Sequence, residues 1–234
     1  MKKNIAVFFF LVIAAFGVYR LNSARTIQLF GEIYARVETD QKVVALTLDD
    51  GPNEKIDTVL SILKKHNVKA TFFPIGELMK KDLSPIQKIV EDGHELGNHS
   101  YTHRKLSLRS YQTIRQEIEP TDKLLREAGH LGDIHFRPPY GIKFFMLPLY
   151  LKQNNRKTIT WEVAPEGNSA LNMDAEKLAQ FVIKQTKNGS IILLHPMNKG
   201  REASLQSLEP IILGLKAKGF RFKTVSELLN EEEN

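Results

Sequence analysis

His99 and His103 stand four residues apart in the stretch HSYTH, and Asp49 and Asp50 stand side by side in TLDDGP. Imidazoles and carboxylates are the groups that hold a divalent ion where thiolates are lacking, and this chain has no cysteine. If residues 99–103 form a helical turn, the two imidazoles share one face. Two imidazoles with one carboxylate leave coordination positions open, which is the arrangement of a catalytic rather than a structural metal. Alone, a pair of histidines at this spacing is a weak signal, and Asp-Gly-Pro alone marks a turn. The adjacent carboxylates carry more weight. They repel each other, and burial of either demands a positive partner. A metal on one and a different cation beside the other would satisfy both.

Two more residues could take part in chemistry. Arg137 in FRPPYG is followed by two prolines, which stiffen the loop. Such a loop can fix the direction of an arginine and aim a backbone N–H at a developing oxyanion. His195 ends the apolar run SIILLH. A histidine there is often a packed core residue; its functional reading is a general acid beside the metal, since imidazole titrates near the working pH. His66, His94, His130 and His135 have no comparable setting and read as structural, with His94 close to the metal loop.

These residues need elements that bring them together. VVALTL (43–48) is an apolar, β-branched run bounded by a turn and reads as a buried strand. Residues 55–67 place Ile56, Val59, Leu60 and Leu63 at helical spacing. Strand 69–76 and helix 84–93 follow, the latter with Pro at its start and Gly at its end. Helix 110–129 contains Pro120, expected to break or kink it. Strands at 134–136, 157–163, 190–195 and 220–222 alternate with helices at 174–189 and 204–219, and Thr224 with Glu227 forms a capping-box pattern. Alternating strands and helices imply parallel βα units and one α/β domain. In such folds active residues gather at the carboxyl ends of strands. Asp49, Asp50, Arg137 and His195 all fall at such ends.

The composition fits one folded domain: 234 residues, 42% hydrophobic and 26% charged. The net charge of +6 would admit nucleic acid, but its distribution argues against that partner. Lys2, Lys3, Arg20 and Arg25, with no acid among them, put +4 in residues 1–25 and leave +2 for the other 209 residues. No dense basic stripe with interleaved aromatics remains. The same 25 residues carry a basic start and a 15-residue uncharged run, Ile5 to Tyr19. This reads as a signal peptide, or as an uncleaved membrane anchor with the domain outside. Ala24 could precede a cleavage point, although Asn22 is a poor residue two places earlier.

Together these stretches resemble the polysaccharide deacetylases, the NodB-homology domain of carbohydrate esterase family four, over roughly residues 43–230. TLDDGP is similar to that family's T-F-D-D-G-P, HSYTH to its H-[S/T]-x-x-H, RPPYG to R-x-P-Y-G and LLH (193–195) to L-x-H, in the family's order. The ending KGFRFKTVSELL is similar to its last strand and helix. One stretch departs. Where the family has D-x-x-D-W, with an Asp that tunes the catalytic histidine, this chain reads WEVAPEGNS (161–169). Ala164 stands where an acid is common, no Trp follows, and Glu166 is the candidate substitute.

The resemblance implies a distorted (β/α) barrel and a role for each residue. Asp50, His99 and His103 would hold one divalent ion, Zn²⁺ or alternatively Co²⁺. Asp49 would be the general base, kept ionised and oriented by Arg137. His195 would protonate the leaving amine. The backbone N–H of Tyr140 would stabilise the oxyanion, and Leu193 would line the pocket for the acetyl methyl. The expected organisation is a leader or anchor at 1–24, a connecting segment at 25–42 with some helical character, a catalytic domain at 43–230 and an acidic tail at 231–234. The expected activity is removal of N-acetyl groups from N-acetylglucosamine units of a polysaccharide by an extracytoplasmic monomer. It would be secreted or held to the membrane only by its N-terminal segment, and would not contact nucleic acid. Peptidoglycan is the favoured polymer and chitin oligomers the nearest rival. A glycan-binding pseudoenzyme and a hydrolase of small non-sugar amides are the competing classes.

Overall fold

The structure is a computed structural model that describes residues 2–167 and 174–231. Asn168 and Ser169 of the departing motif, and residues 232–234 of the acidic tail, lie outside the described residues. The described strands are β1 Ile33–Tyr34, β2 Val43–Asp49, β3 Thr71–Phe73, β4 Glu95–Leu96, β5 Thr158–Ile159, β6 Ile191–Leu194 and β7 Arg221–Lys223. The described helices are α1 Lys2–Ser23, α2 Ile56–Lys65, α3 Gly76–Met79, α4 Ser84–Glu91, α5 Tyr111–Glu127, α6 Met146–Gln153, α7 Ala175–Gln185, α8 Glu202–Ala217 and α9 Val225–Leu229.

β2 is the centre of the sheet. It pairs in parallel with β6 on one side and, on the other, with β7 along residues 43–45 and with β3 along residues 47–49, while β4 extends the sheet beyond β3. β1 and β5 form a separate parallel pair. Continuous ladders do not close a barrel. Isolated bridges carry the backbone contacts round from Asn98 to Phe136, from Phe136 to Thr158, and from Val163 back to Ile192 of β6. The strand expected at 134–136 is thus reduced to single bridges at Phe136.

Successive side chains on a strand point to opposite faces, and on β2 this alternation decides the site. Val44, Leu46 and Leu48 join the larger apolar core with Ile56, Val59, Leu60 and Leu63 of α2, and with Leu208, Ile211 and Leu215 of α8. Each such side chain contributes roughly 1.5–3 kcal/mol by leaving water. Val43 and Ala45 face a second cluster with Ile159, Ile191 and Leu228. Thr47 and Asp49 continue that second face, so a hydroxyl and a carboxylate are driven inside by the strand that carries them.

Three expectations need correcting. α5 runs unbroken through Pro120, held on its buried face by Ile114, Ile118, Thr121 and Leu125. The missing N–H costs one helical bond, and packing on both sides of it outweighs that loss. Residues 25–42 contain no helix; instead β1 pairs with β5, Val37 donates to the Gly189 carbonyl at 2.9 Å and Arg36 bridges Ser190. The stretch 99–103 is not a helical turn, as described below.

α1 ends against the domain. The Lys143 backbone N–H donates to the Asn22 carbonyl at 2.9 Å, and its buried ammonium donates to the Ala24 carbonyl. Burial pushes the Lys143 ammonium down to about 8. Among the described residues no helix is long and apolar enough to cross a membrane.

Candidate active site

The residues singled out by type and spacing meet around one cavity of about 560 Å³, lined by Asp49, Asp50, His99, His103, Tyr140, Leu193, His195 and Glu166. Arg137 lies directly behind Asp49 and is fully buried. Its Nη1 donates to Asp49 Oδ1 at 2.6 Å and to the Thr47 hydroxyl at 2.7 Å. Nη2 and Nε donate to the carbonyls of Thr160 and Ile159 at 2.9 and 3.3 Å, and the guanidinium lies 4.1 Å from the Phe73 ring centroid. A buried cation so completely bonded serves as a fixed counter-charge. Asp49 therefore already has its cation.

Asp50 is arranged differently. Its Oδ2 accepts from the Asn198 amide at 2.5 Å, while its buried Oδ1 has no hydrogen-bond partner. His103 Nε2 lies 3.3 Å and His99 Nε2 3.6 Å from that Oδ1, and the two Nε2 atoms are 3.2 Å apart. His99 Nδ1 donates to the Arg137 carbonyl at 2.8 Å, which turns its Nε2 lone pair towards Asp50. One carboxylate oxygen and two imidazole nitrogens thus converge within 4.8 Å of one another. An orphaned anionic oxygen beside two imidazole nitrogens is the donor set that suits a divalent ion. Burial alone would raise the Asp50 carboxyl, but His99, His195, His103 and the Asn198 hydrogen bond hold it below its ordinary value. Burial, with His99 adding to it, lowers His103 and so favours the neutral imidazole that a ligand must present.

The histidines converge through a loop. Ser100 and His103 take left-handed backbone conformations at φ 66° and 55°. The turn is tied by Asn98 Oδ1, which accepts from the Ser100 N–H at 2.8 Å, and by the Ser100 hydroxyl, which accepts from the His103 N–H at 3.0 Å. Asp50 and Tyr140 are also left-handed, at φ 66° and 60°. Non-glycine residues held there cost about 1–3 kcal/mol each and concentrate at functional sites. Tyr140 packs its ring 4.9 Å from that of His103, and Gly141 (φ +67°) lies under Trp161, where a Cβ would come within 2.9 Å of the indole.

On the opposite wall, His195 follows the last residue of β6. Glu166 accepts from its backbone N–H at 3.1 Å and meets its Nδ1 with the second carboxylate oxygen. Burial opposes charge on both groups, but the mutual contact wins, so His195 is raised and Glu166 lowered. Ala164 also lines the cavity. The carboxylate absent at position 164 is thus supplied two residues later. Leu193 sits in β6 opposite Thr47 of β2, facing the cavity.

Several cavity residues escaped the sequence reading. Asn198 lies three positions beyond His195 and touches Asp50, with no spacing rule to reveal it. Thr47 was legible only as part of an apolar strand. Trp161, Arg25 and Arg201 line the cavity. Arg25 was set aside with the N-terminal segment, whose composition overshadowed it.

Comparison with known proteins agrees with this geometry. A family model described as polysaccharide deacetylase matches residues 36–172, a span that ends before His195. A peptidoglycan-N-acetylglucosamine deacetylase of Bacillus cereus is 31% identical over 200 residues, covering 85% of this chain and 93% of that protein. A peptidoglycan-N-acetylmuramic acid deacetylase of Bacillus subtilis is 31% identical over 198 residues, covering 83% and 74%. Among solved structures, a CE4 family pseudoenzyme from Bacillus anthracis superposes with a TM-score of 0.76 at 32% identity, covering 86% of this chain and 69% of that one.

Proposed function

The chain belongs to the polysaccharide deacetylase family, and on that premise we propose that it is a metal-dependent hydrolase removing N-acetyl groups from N-acetylglucosamine residues of peptidoglycan. The observation that carries the reading is the unequal treatment of two adjacent carboxylates. Asp49 is paired with a buried arginine, while Asp50 turns an unpartnered oxygen to two imidazoles. That inequality supports reading Asp49 as the base and Asp50 as the metal ligand.

Asp50, His99 and His103 would hold the ion, which we take to be Zn²⁺. When bound, it supplies Lewis acidity that polarises an amide carbonyl and lowers the pKa of water from 15.7 towards ~7. Asp49 accepts the proton of the attacking water, and Arg137 keeps that carboxylate ionised and aimed. The Tyr140 backbone N–H faces the oxyanion of the tetrahedral intermediate. An amine leaves poorly unless protonated, so His195, held charged by Glu166, delivers a proton to the departing nitrogen. The products are acetate and a strand that carries a free amine on the reacted sugar. Leu193 offers an apolar wall for the acetyl methyl.

The N-terminal segment fits an export signal or an anchor, and a wall polymer as substrate requires that the domain lie outside the cytoplasm. We take the catalytic unit to act as a monomer. The test is acetate release from peptidoglycan strands and from chitin oligomers by protein loaded with Zn²⁺ or Co²⁺. Acetate from the former at the higher kcat/KM is expected. Glycan binding without acetate, beside an active control enzyme, would instead make this chain a pseudoenzyme.

A further inference from the structure

Three carboxylates line the cavity, and each is already committed. Arg137 pairs with Asp49, His195 pairs with Glu166, and Asp50 belongs to the metal site with His99 and His103. Two guanidinium groups that line the same cavity are left over: Arg25 and Arg201. Neither forms a salt bridge to any carboxylate among the described residues. A divalent ion at Asp50 would make the cavity more positive still.

Both arginines are placed by backbone. The Arg25 carbonyl accepts from the Thr160 hydroxyl at 2.6 Å, and the preceding residue is bonded to the buried Lys143. Its guanidinium lies over the Trp161 ring, 5.1 Å from the centroid, within cation–π range. Arg201 is the N-cap residue of α8, a 16-residue helix whose positive end adds to its charge. Among the described residues it makes one long contact, 3.4 Å from Nη1 to the Glu166 carbonyl. An uncharged glycan has no use for two spare cations beside the reacting centre. Planar guanidinium groups match a carboxylate.

We propose that Arg25 and Arg201 read a carboxylate on the glycan, so that the site prefers a strand carrying the lactyl carboxylate of muramic acid over a neutral polymer of N-acetylglucosamine. This rests on the deacetylase reading and deepens it. The carboxylate belongs either to the reacting sugar or to its neighbour.

The test measures binding independently of turnover. The Zn²⁺-loaded, full-length Asp49→Asn protein is titrated with three oligosaccharides: a peptide-free peptidoglycan strand, the same strand with its carboxylates converted to amides, and a chitin oligomer of equal length. The acidic strand should bind at least ~10-fold tighter than its amide, with the preference shrinking as salt rises. Adding Arg25→Gln or Arg201→Gln should each cut that ratio by about 2–5-fold, the range for a solvent-accessible ion pair, while Lys at either position retains part of it. Because each variant is judged by its own ratio, a partly folded preparation does not mimic the result. Equal binding of acid and amide strands, or a ratio unmoved by both Gln variants, would overturn the proposal. Acetate release by the unmutated protein is scored separately and decides the deacetylase reading alone. Glucosamine units with a free amine in the deacetylated strand place the carboxylate on the neighbouring sugar, and muramic acid units with a free amine place it on the reacting one.

Discussion

Glu166 holds His195 at two points, accepting from its backbone N–H at 3.1 Å and meeting its ring Nδ1. The contact fixes which ring nitrogen faces the cavity and stabilises the imidazolium. It also shows what Glu166 of the stretch WEVAPEG touches: a carboxylate from that stretch reaches the histidine at the end of β6.

The Glu166–His195 pair makes a pH prediction. A proton donor works while protonated, so activity is present below its pKa and lost as pH rises through it. Burial opposes the charge, but Glu166 outweighs it and raises that pKa, which moves the basic limb of the profile to higher pH than an unpaired histidine would give. Glu166→Gln should move the basic limb to lower pH and reduce the rate at its optimum by about 10–100-fold. A pH profile of acetate release checks this, and an unmoved limb would remove Glu166 from the proton path.

The two carboxylates at the end of β2 should separate in their effects. Asp50→Ala should lose bound metal and turnover together. Asp49→Asn should retain metal while turnover falls by about 10²–10⁴-fold, the range for removal of a general base. Metal content by elemental analysis, set against acetate release on the same preparations, distinguishes them. Retained turnover in Asp49→Asn would exclude it as the base.

Leaving-group chemistry isolates His195. Its replacement by Ala should damage cleavage of the sugar amide more than cleavage of an activated acetate ester, whose leaving group departs without a proton. Equal losses on both substrates would count against proton donation.

The buried Arg137–Asp49 pair is a matter of stability as well as catalysis. Arg137→Met leaves a buried carboxylate without its cation and should cost about 3–5 kcal/mol. Urea denaturation monitored by the single Trp161 would read this as a lower midpoint at unchanged slope.

Much of this molecule was legible in the residues. α2 buries Ile56, Val59, Leu60 and Leu63, the four apolar positions picked out by their spacing, and Thr224 with Glu227 does form a capping box. Apolar periodicity and end-capping act within a few residues of chain, so sequence order determines them. The kinds of candidate ligand were legible for a related reason: a chain without cysteine has only His, Asp and Glu to offer a metal, and the choice of Asp50 with His99 and His103 came from the family resemblance. Other features depended on the packed molecule. HSYTH suggested a helical turn, but its imidazoles meet through two left-handed residues tied by Asn98 and Ser100, whose positions packing fixes. Whether Asp49 or Asp50 would be the free carboxylate depended on which of them shared a strand face with Thr47 and met a fully buried arginine from position 137. Arg25, Asn198 and Arg201 joined the cavity from segments far apart in sequence. Contacts between distant segments come from how sheet and helices close around one another, and no spacing rule within a segment encodes that closure.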